Sequence, residues 1–249
     1  MTLITPSLVT ASPLSDCDTL YAARADLFQA NHCYGLLLSD AGLAPDQQKI
    51  ILERSFITLT SIVNQFPKQD AEKQAIALAL DLLGNAPAAY LQTADFSYWN
   101  AVWLTFNAKV LDRGSLLPRH IFALLSTIQS NLRLAITLDP TLHVYGPSRV
   151  LGTMHTQMPG IAGGDKALAE RLLLDAYTNA PAYSANQLAY ARILNINGKT
   201  ELAISVLLKF LSLNDAELNP YTSEPLRFPA FETNQDRSDA KALLEKIGS

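Results

Sequence analysis

The sequence predicts an all-α fold built as an array of antiparallel helical hairpins. Three observations carry that prediction. Apolar residues recur at helical spacing almost from end to end, and the alternation of a strand persists nowhere for more than a few residues. Gly and Pro punctuate the periodic stretches where helices stop.

Composition narrows the function classes. With 49% hydrophobic and 17% charged residues, the chain buries too much apolar surface to be disordered. Its 19 basic and 23 acidic residues give a net charge of −4, and no cluster of Lys and Arg could neutralise several phosphates, which argues against nucleic acid. Apolar runs such as 76–83, interrupted by Asp81, fall far short of the roughly 20 residues of a membrane-spanning helix. Residues 1–13 show neither the basic nor the apolar region of a signal peptide. Leu14-Ser15-Asp16-Cys17 has the outline of a lipoprotein box, with Asp16 where a small residue belongs. Residues 1–17 read as a flexible segment and 18–249 as one helical domain.

The first helix spans about 21–41, stopped by Gly42 and Pro45. A helix from about Thr19 would hold Cys17 and Cys33 roughly 20 Å apart at 1.5 Å per residue, beyond the reach of a disulfide. Cys33 then reads as a small buried apolar residue and Cys17 as a free thiol. Asp46 caps the second helix, whose stripe of Leu52, Phe56, Leu59, Val63 and Phe66 faces a neighbour until Pro67 ends it. Asp70 caps a third, to residue 83, with Gly84 and Pro87 as the stop. A fourth holds Phe96, Trp99, Trp103 and Phe106 and closes at Gly114. The fifth covers 118–138, and after the turn Tyr145-Gly146-Pro147 a sixth covers about 148–157. Beyond a glycine-rich loop at 158–164, Asp165 caps the seventh, 166–179. The eighth and ninth, about 184–195 and 200–213, are joined at Asn197-Gly198. Pro220, Tyr221, Pro225, Phe228, Pro229 and Phe231 mark a segment pinned across the last hairpins by its aromatics, before a final helix at about 235–247.

A finer pattern recurs in these helices. Small or apolar residues stand 12, 8 and 5 positions before Pro181 (Ala169, Leu173, Ala176) and before Pro140 (Ile128, Leu132, Ala135). Ala203, Leu207 and Phe210 repeat it, with Asp215 in the proline's place. This resembles the tetratricopeptide repeat, in which those positions pack the second helix of a hairpin on the first. The resemblance implies a right-handed α-solenoid with hairpins over about 118–215. Pro140 and Pro181 are 41 residues apart, against about 34 in that repeat. The glycine-rich loop accommodates the excess.

Candidate chemistry is sparse. Asn197-Gly198-Lys199-Thr200 has the end of a phosphate-binding loop, but Ile193 stands where its first glycine belongs, so a hairpin turn explains it better. The loop Gly160 to Gly164 precedes a helix N-terminus and lacks a basic companion. His32, His120, His143 and His155 have neither the spacing nor the cysteine company of a zinc site. No nucleophile motif occurs, so the sequence indicates neither enzyme, metal nor cofactor. Trp99, Trp103, Phe106 and Asn107 either line a groove for an apolar ligand or pack a core. Arg149, on a mostly apolar helix, is either a ligand anchor or the partner of a buried carboxylate.

Tyr145-Gly146-Pro147-Ser148-Arg149-Val150-Leu151-Gly152, then Met158-Pro159-Gly160 and Gly163-Gly164-Asp165-Lys166, resemble the signature of the T-component family of bacterial TRAP transporters. There a Gly-Pro-x-Arg-x-x-Gly helix leads through a Pro-Gly, Gly-Gly-(Asp/Ser)-Lys loop to a tetratricopeptide-like helix. Leu20-Tyr21-Ala22-Ala23-Arg24, Tyr98-Trp99 and Asp239 to Leu244 agree more generically, extending the likeness over about 18–247. The resemblance implies a non-enzymatic, oligomeric, periplasmic or lipid-anchored protein. It would bind the substrate-binding protein of a TRAP system and pass an apolar or organic-acid ligand, with Trp99, Trp103, Asn107, Tyr145 and Arg149 as the candidate contacts. The alternative is a general tetratricopeptide scaffold, cytoplasmic if the family likeness misleads, that binds a peptide or protein helix in its concave groove.

Overall fold

The computed structural model describes residues 14–40, 42–112, 118–218 and 230–248. Every regular element among them is helical. The chain divides into two compact units, 1–82 and 83–249. The sequence, read as one array from residue 18 onwards, carries no sign of that division.

The first unit contains α1 (Leu14–Ala23), α2 (Leu27–Leu38), α3 (Pro45–Gln65) and most of α4 (Asp70–Gly84). Here the single helix expected over 21–41 is two. Arg24 turns into the left-handed region (φ 53°), and its guanidinium lies 4.2 Å from the Tyr21 ring centre and donates to the Tyr21 hydroxyl at 2.9 Å. Asp26 then restarts the helix, its carboxylate accepting from the Gln29 N–H at 3.0 Å. The reversal overturns the expectation of free cysteines. α1 packs on α2, and Cys17 and Cys33 form a disulfide with Cα atoms 5.5 Å apart. The bond sits in a small core with Tyr34, Leu37 and Ile51. Leu14 to Cys17, read as flexible, are helical, and the segment before them lies outside the described residues.

α3 also starts differently from expectation. Its N-cap is Ala44, with Pro45 at the first helical position and Asp46 inside the first turn; the Gln47 side chain accepts from the Ala44 N–H instead. The stripe Leu52, Phe56, Leu59 and Val63 is buried as predicted, and Phe66 is half-buried.

The second unit runs through α5 (Ala94–Asp112), α6 (Pro118–Leu138), α7 (Leu142–Gln157), α8 (Lys166–Asn179), α9 (Ser184–Ile196), α10 (Thr200–Ser212) and α11 (Ala230–Gly248). Each helix from α5 onward packs on the next in sequence, and α11 folds back on both α9 and α10. All nine residues of the repeat pattern, Ile128, Leu132, Ala135, Ala169, Leu173, Ala176, Ala203, Leu207 and Phe210, are wholly or almost wholly buried. They fall on α6, α8 and α10, the second member of each pair α5/α6, α7/α8 and α9/α10. Ala169, Leu173 and the whole α10 triplet share one core with Leu188, Tyr190, Ile193, Leu194 and Ala240. α11 starts at Ala230, earlier than expected. Gly114, Pro220, Tyr221, Pro225, Phe228 and Pro229 lie outside the described residues, as do the side chains of His120 and Phe231.

Candidate functional site

The glycine-rich signature folds into one structural unit, α7 with the loop that follows it. Asp139 opens it, its carboxylate accepting from the backbone and the hydroxyl of Thr141 at 2.9 and 2.8 Å. His143, Val144 and Tyr145 then adopt left-handed conformations in succession (φ 48°, 55° and 62°). For a β-branched residue such as Val144 this is strained, at a cost on the order of 1–3 kcal/mol.

Close approach explains most of the glycines. A side chain at Gly146 would meet the Tyr98 ring at 3.2 Å, and one at Gly152 would meet Leu173 of α8 at 2.7 Å. One at Gly164 would lie 1.9 Å from the Met158 carbonyl oxygen, across a loop closed by the Gly164 N–H donating to Pro159 O. Pro159 precedes a single 3₁₀ turn, Gly160–Ala162, and Gly163 is left-handed (φ 87°). Asp165 caps α8 as expected. Its carboxylate accepts from the Leu168 and Ala167 N–H groups, which hold its pKa below the ordinary value. His155 closes the unit from α7, with Nδ1 3.2 Å from the Gly163 carbonyl.

Arg149 connects this unit to α9. Its Nη1 donates to the Val144 carbonyl at 3.0 Å and to Asn186 Oδ1 at 2.8 Å, and the guanidinium lies 4.8 Å from the Tyr183 ring centre. Asn186 is fully buried and donates in turn to Val144 O and Ala176 O. The strained turn is therefore held at one carbonyl by two side chains, and those bonds fix one edge of the guanidinium.

Arg149 also borders a cavity of about 770 Å³ walled by α5, α6, α7, α9 and α11. That volume falls in the range of about 300–1,000 Å³ typical of small-molecule sites. Most of its wall is apolar, with Val102, Phe106, Leu125, Ile128, Met154 and Leu188 among the lining side chains. Among the described residues its charged lining is three cations, Lys109, Arg149 and Arg192, against one carboxylate, Asp236. Ser184 Oγ donates to Asp236 at 2.6 Å. Burial nevertheless raises the Asp236 pKa, with the Ser184 hydrogen bond and the Arg149 charge acting in the opposite sense.

Of the candidate residues, Phe106, Arg149 and Pro159 line the cavity. Trp103 is fully buried, and Trp99 is buried against the rings of Tyr98 and His143. Both indoles belong to the core and neither lines the cavity. Half-buried Asn107 lies on the same helix, while Tyr145 packs with Val144, Ala180 and Tyr183. Of the residues at this site, the sequence reading missed Asp236, Arg192, Lys109 and Asn186. Lys109 stands three residues after Phe106, helical spacing that puts both on one face; the others are ordinary polar residues of helices distant in sequence.

No protein-family model matches the chain, and a search of curated proteins finds no match.

Proposed function

We propose that this protein is a non-enzymatic accessory component of a TRAP-type solute transport system, acting in the periplasm. It binds the system's substrate-binding protein and holds an apolar organic acid in the α5–α11 cavity. Its hairpins stack in the right-handed, tetratricopeptide-like manner. The observation that carries the reading is the cavity: a partly open apolar pocket of small-molecule size whose charged lining, among the described residues, is mainly cationic, with Arg149 of the signature helix at its wall. An amphiphilic anion matches both features, since its chain meets apolar walls and its head meets a guanidinium held in place. The Cys17–Cys33 disulfide favours an oxidising compartment.

Native mass spectrometry of the protein purified without detergent tests this directly. A defined oligomer carrying a co-purified organic acid is the expected result. A ligand-free monomer that instead captures helical peptides would replace the transport reading with a scaffold.

A further inference from the structure

We propose that the cavity binds a long-chain molecule with a single anionic head group, and that it does so with uptake of one proton by Asp236. This rests on the ligand-binding reading above and adds its chemistry and its regulation.

The argument starts from where the charges lie. Arg149 on α7 and Arg192 on α9 both act on Asp236, and all three side chains border the cavity. Arg192 is already committed elsewhere, its Nη2 donating to Asp239 on α11 at 2.7 Å. Arg149 is different. Among the described residues its hydrogen bonds run from Nη1 alone, to Val144 O and Asn186 Oδ1. Its remaining N–H groups form the edge of the fork that can receive an anion.

Asp236 is then the electrostatic obstacle. An ionised carboxylate beside Arg149 neutralises the charge that would attract the head group and repels the head group itself. Protonation removes both effects at once. The proton has a reason to bind there, because Asp236 is largely withdrawn from water and burial raises its pKa. The groups facing it are Arg149, Arg192 and Ser184, with Asp239 on its own helix. On α10, which also packs against α11, the charged residues Glu201 and Lys209 point to solvent. The linkage has a definite sign: a bound anion stabilises protonated Asp236, so affinity is greatest at acid pH and declines as pH rises through the titration of Asp236.

The lining supports a chain over a small acid. A short carboxylate would leave the Val102, Phe106, Leu125, Ile128 and Met154 walls against water, whereas an alkyl chain covers them.

The experiment is calorimetric titration of the purified chain with decanesulfonate, decanoate and decanol, each below its micellar concentration, between pH 5 and 8.5. The sulfonate keeps its charge throughout, so any pH dependence in its affinity belongs to the protein. We expect sulfonate affinity to weaken by up to about tenfold per pH unit across the Asp236 titration. Asp236→Asn should bind it tightly and equally at every pH. Ser184→Ala, which removes a hydrogen bond to the carboxylate, should move the midpoint to higher pH. Arg149→Gln should weaken the sulfonate by about tenfold while leaving decanol unchanged, which also shows that the cavity is intact. Asp236→Asn with the wild-type pH slope, or wild-type binding that is flat with pH, would overturn the proton linkage and leave the ligand-binding reading standing. Arg149→Gln with wild-type sulfonate affinity would overturn the head-group assignment. Failure of all three probes to bind would overturn the cavity reading and the linkage together.

Discussion

Asn186 ties three parts of the second unit together. It bonds to the Arg149 guanidinium, the strained Val144 carbonyl and the end of α8, all without exposure to water. Asn186→Ala strands those partners, so urea denaturation should show a loss of about 2–3 kcal/mol. Two carboxylates of the same unit oppose each other in sign. Glu170 is held below its ordinary pKa, chiefly by Lys199 and then by Asn197. Its contribution is present above the unfolded-state value and is lost as pH falls through the folded one. Asp236 is raised, so its contribution is present only in acid and is lost as pH rises. Thermal melts should therefore find Lys199→Met destabilising near neutrality, with the difference closing in acid. Asp236→Asn should melt higher than the wild type at neutral pH, and that difference too should vanish in acid. A wild-type melting profile in either variant would refute the corresponding assignment.

At the scale of elements, α7 and its loop separate glycines that are sterically required from those that are not. Gly152→Ala presses on Leu173, and Gly164→Ala collides with backbone that cannot move aside. Both should lower stability by about 1–3 kcal/mol in chemical denaturation, Gly164→Ala the more. Gly160 has open space around its Cβ position, and Ile161 beside it is 97% exposed. Gly160→Ala and Ile161→Ser should stay within about 0.5 kcal/mol of the wild type in the same assay. Much of this region was legible in advance, because Asp before a periodic run and Pro after one have direct backbone consequences. Thus Asp165 and the buried triplets of α6, α8 and α10 stand where periodicity places them. The break at Arg24 was not legible. A left-handed non-glycine residue leaves no compositional mark, and only Asp26 with Gln29 three residues later hinted at a new helix start. The candidate site divides the same way. Arg149 drew notice as a charge on an apolar helix, whereas Asp236 acquires meaning only when α11 is laid beside α7 and α9.

Across the whole molecule, most contacts join helices adjacent in sequence, and the disulfide closes one of the shortest of these circuits. With its ends 16 positions apart in sequence, the bond should contribute about 3 kcal/mol by restricting the unfolded chain. Reduction, or Cys17→Ser with Cys33→Ser, should speed amide hydrogen exchange in α1 and α2 by about two orders of magnitude. Unchanged exchange would mean that the Tyr34, Leu37 and Ile51 packing suffices alone. The position of this bond also bears on how the protein is made. Both sulfurs precede the second unit in the chain, so the crosslink needs nothing from that unit. In a compartment that the polypeptide enters N-terminus first, oxidation can join α1 to α2 before the signature helix or the cavity has emerged. The second unit would then be added to a first unit whose α1 and α2 are already fastened together.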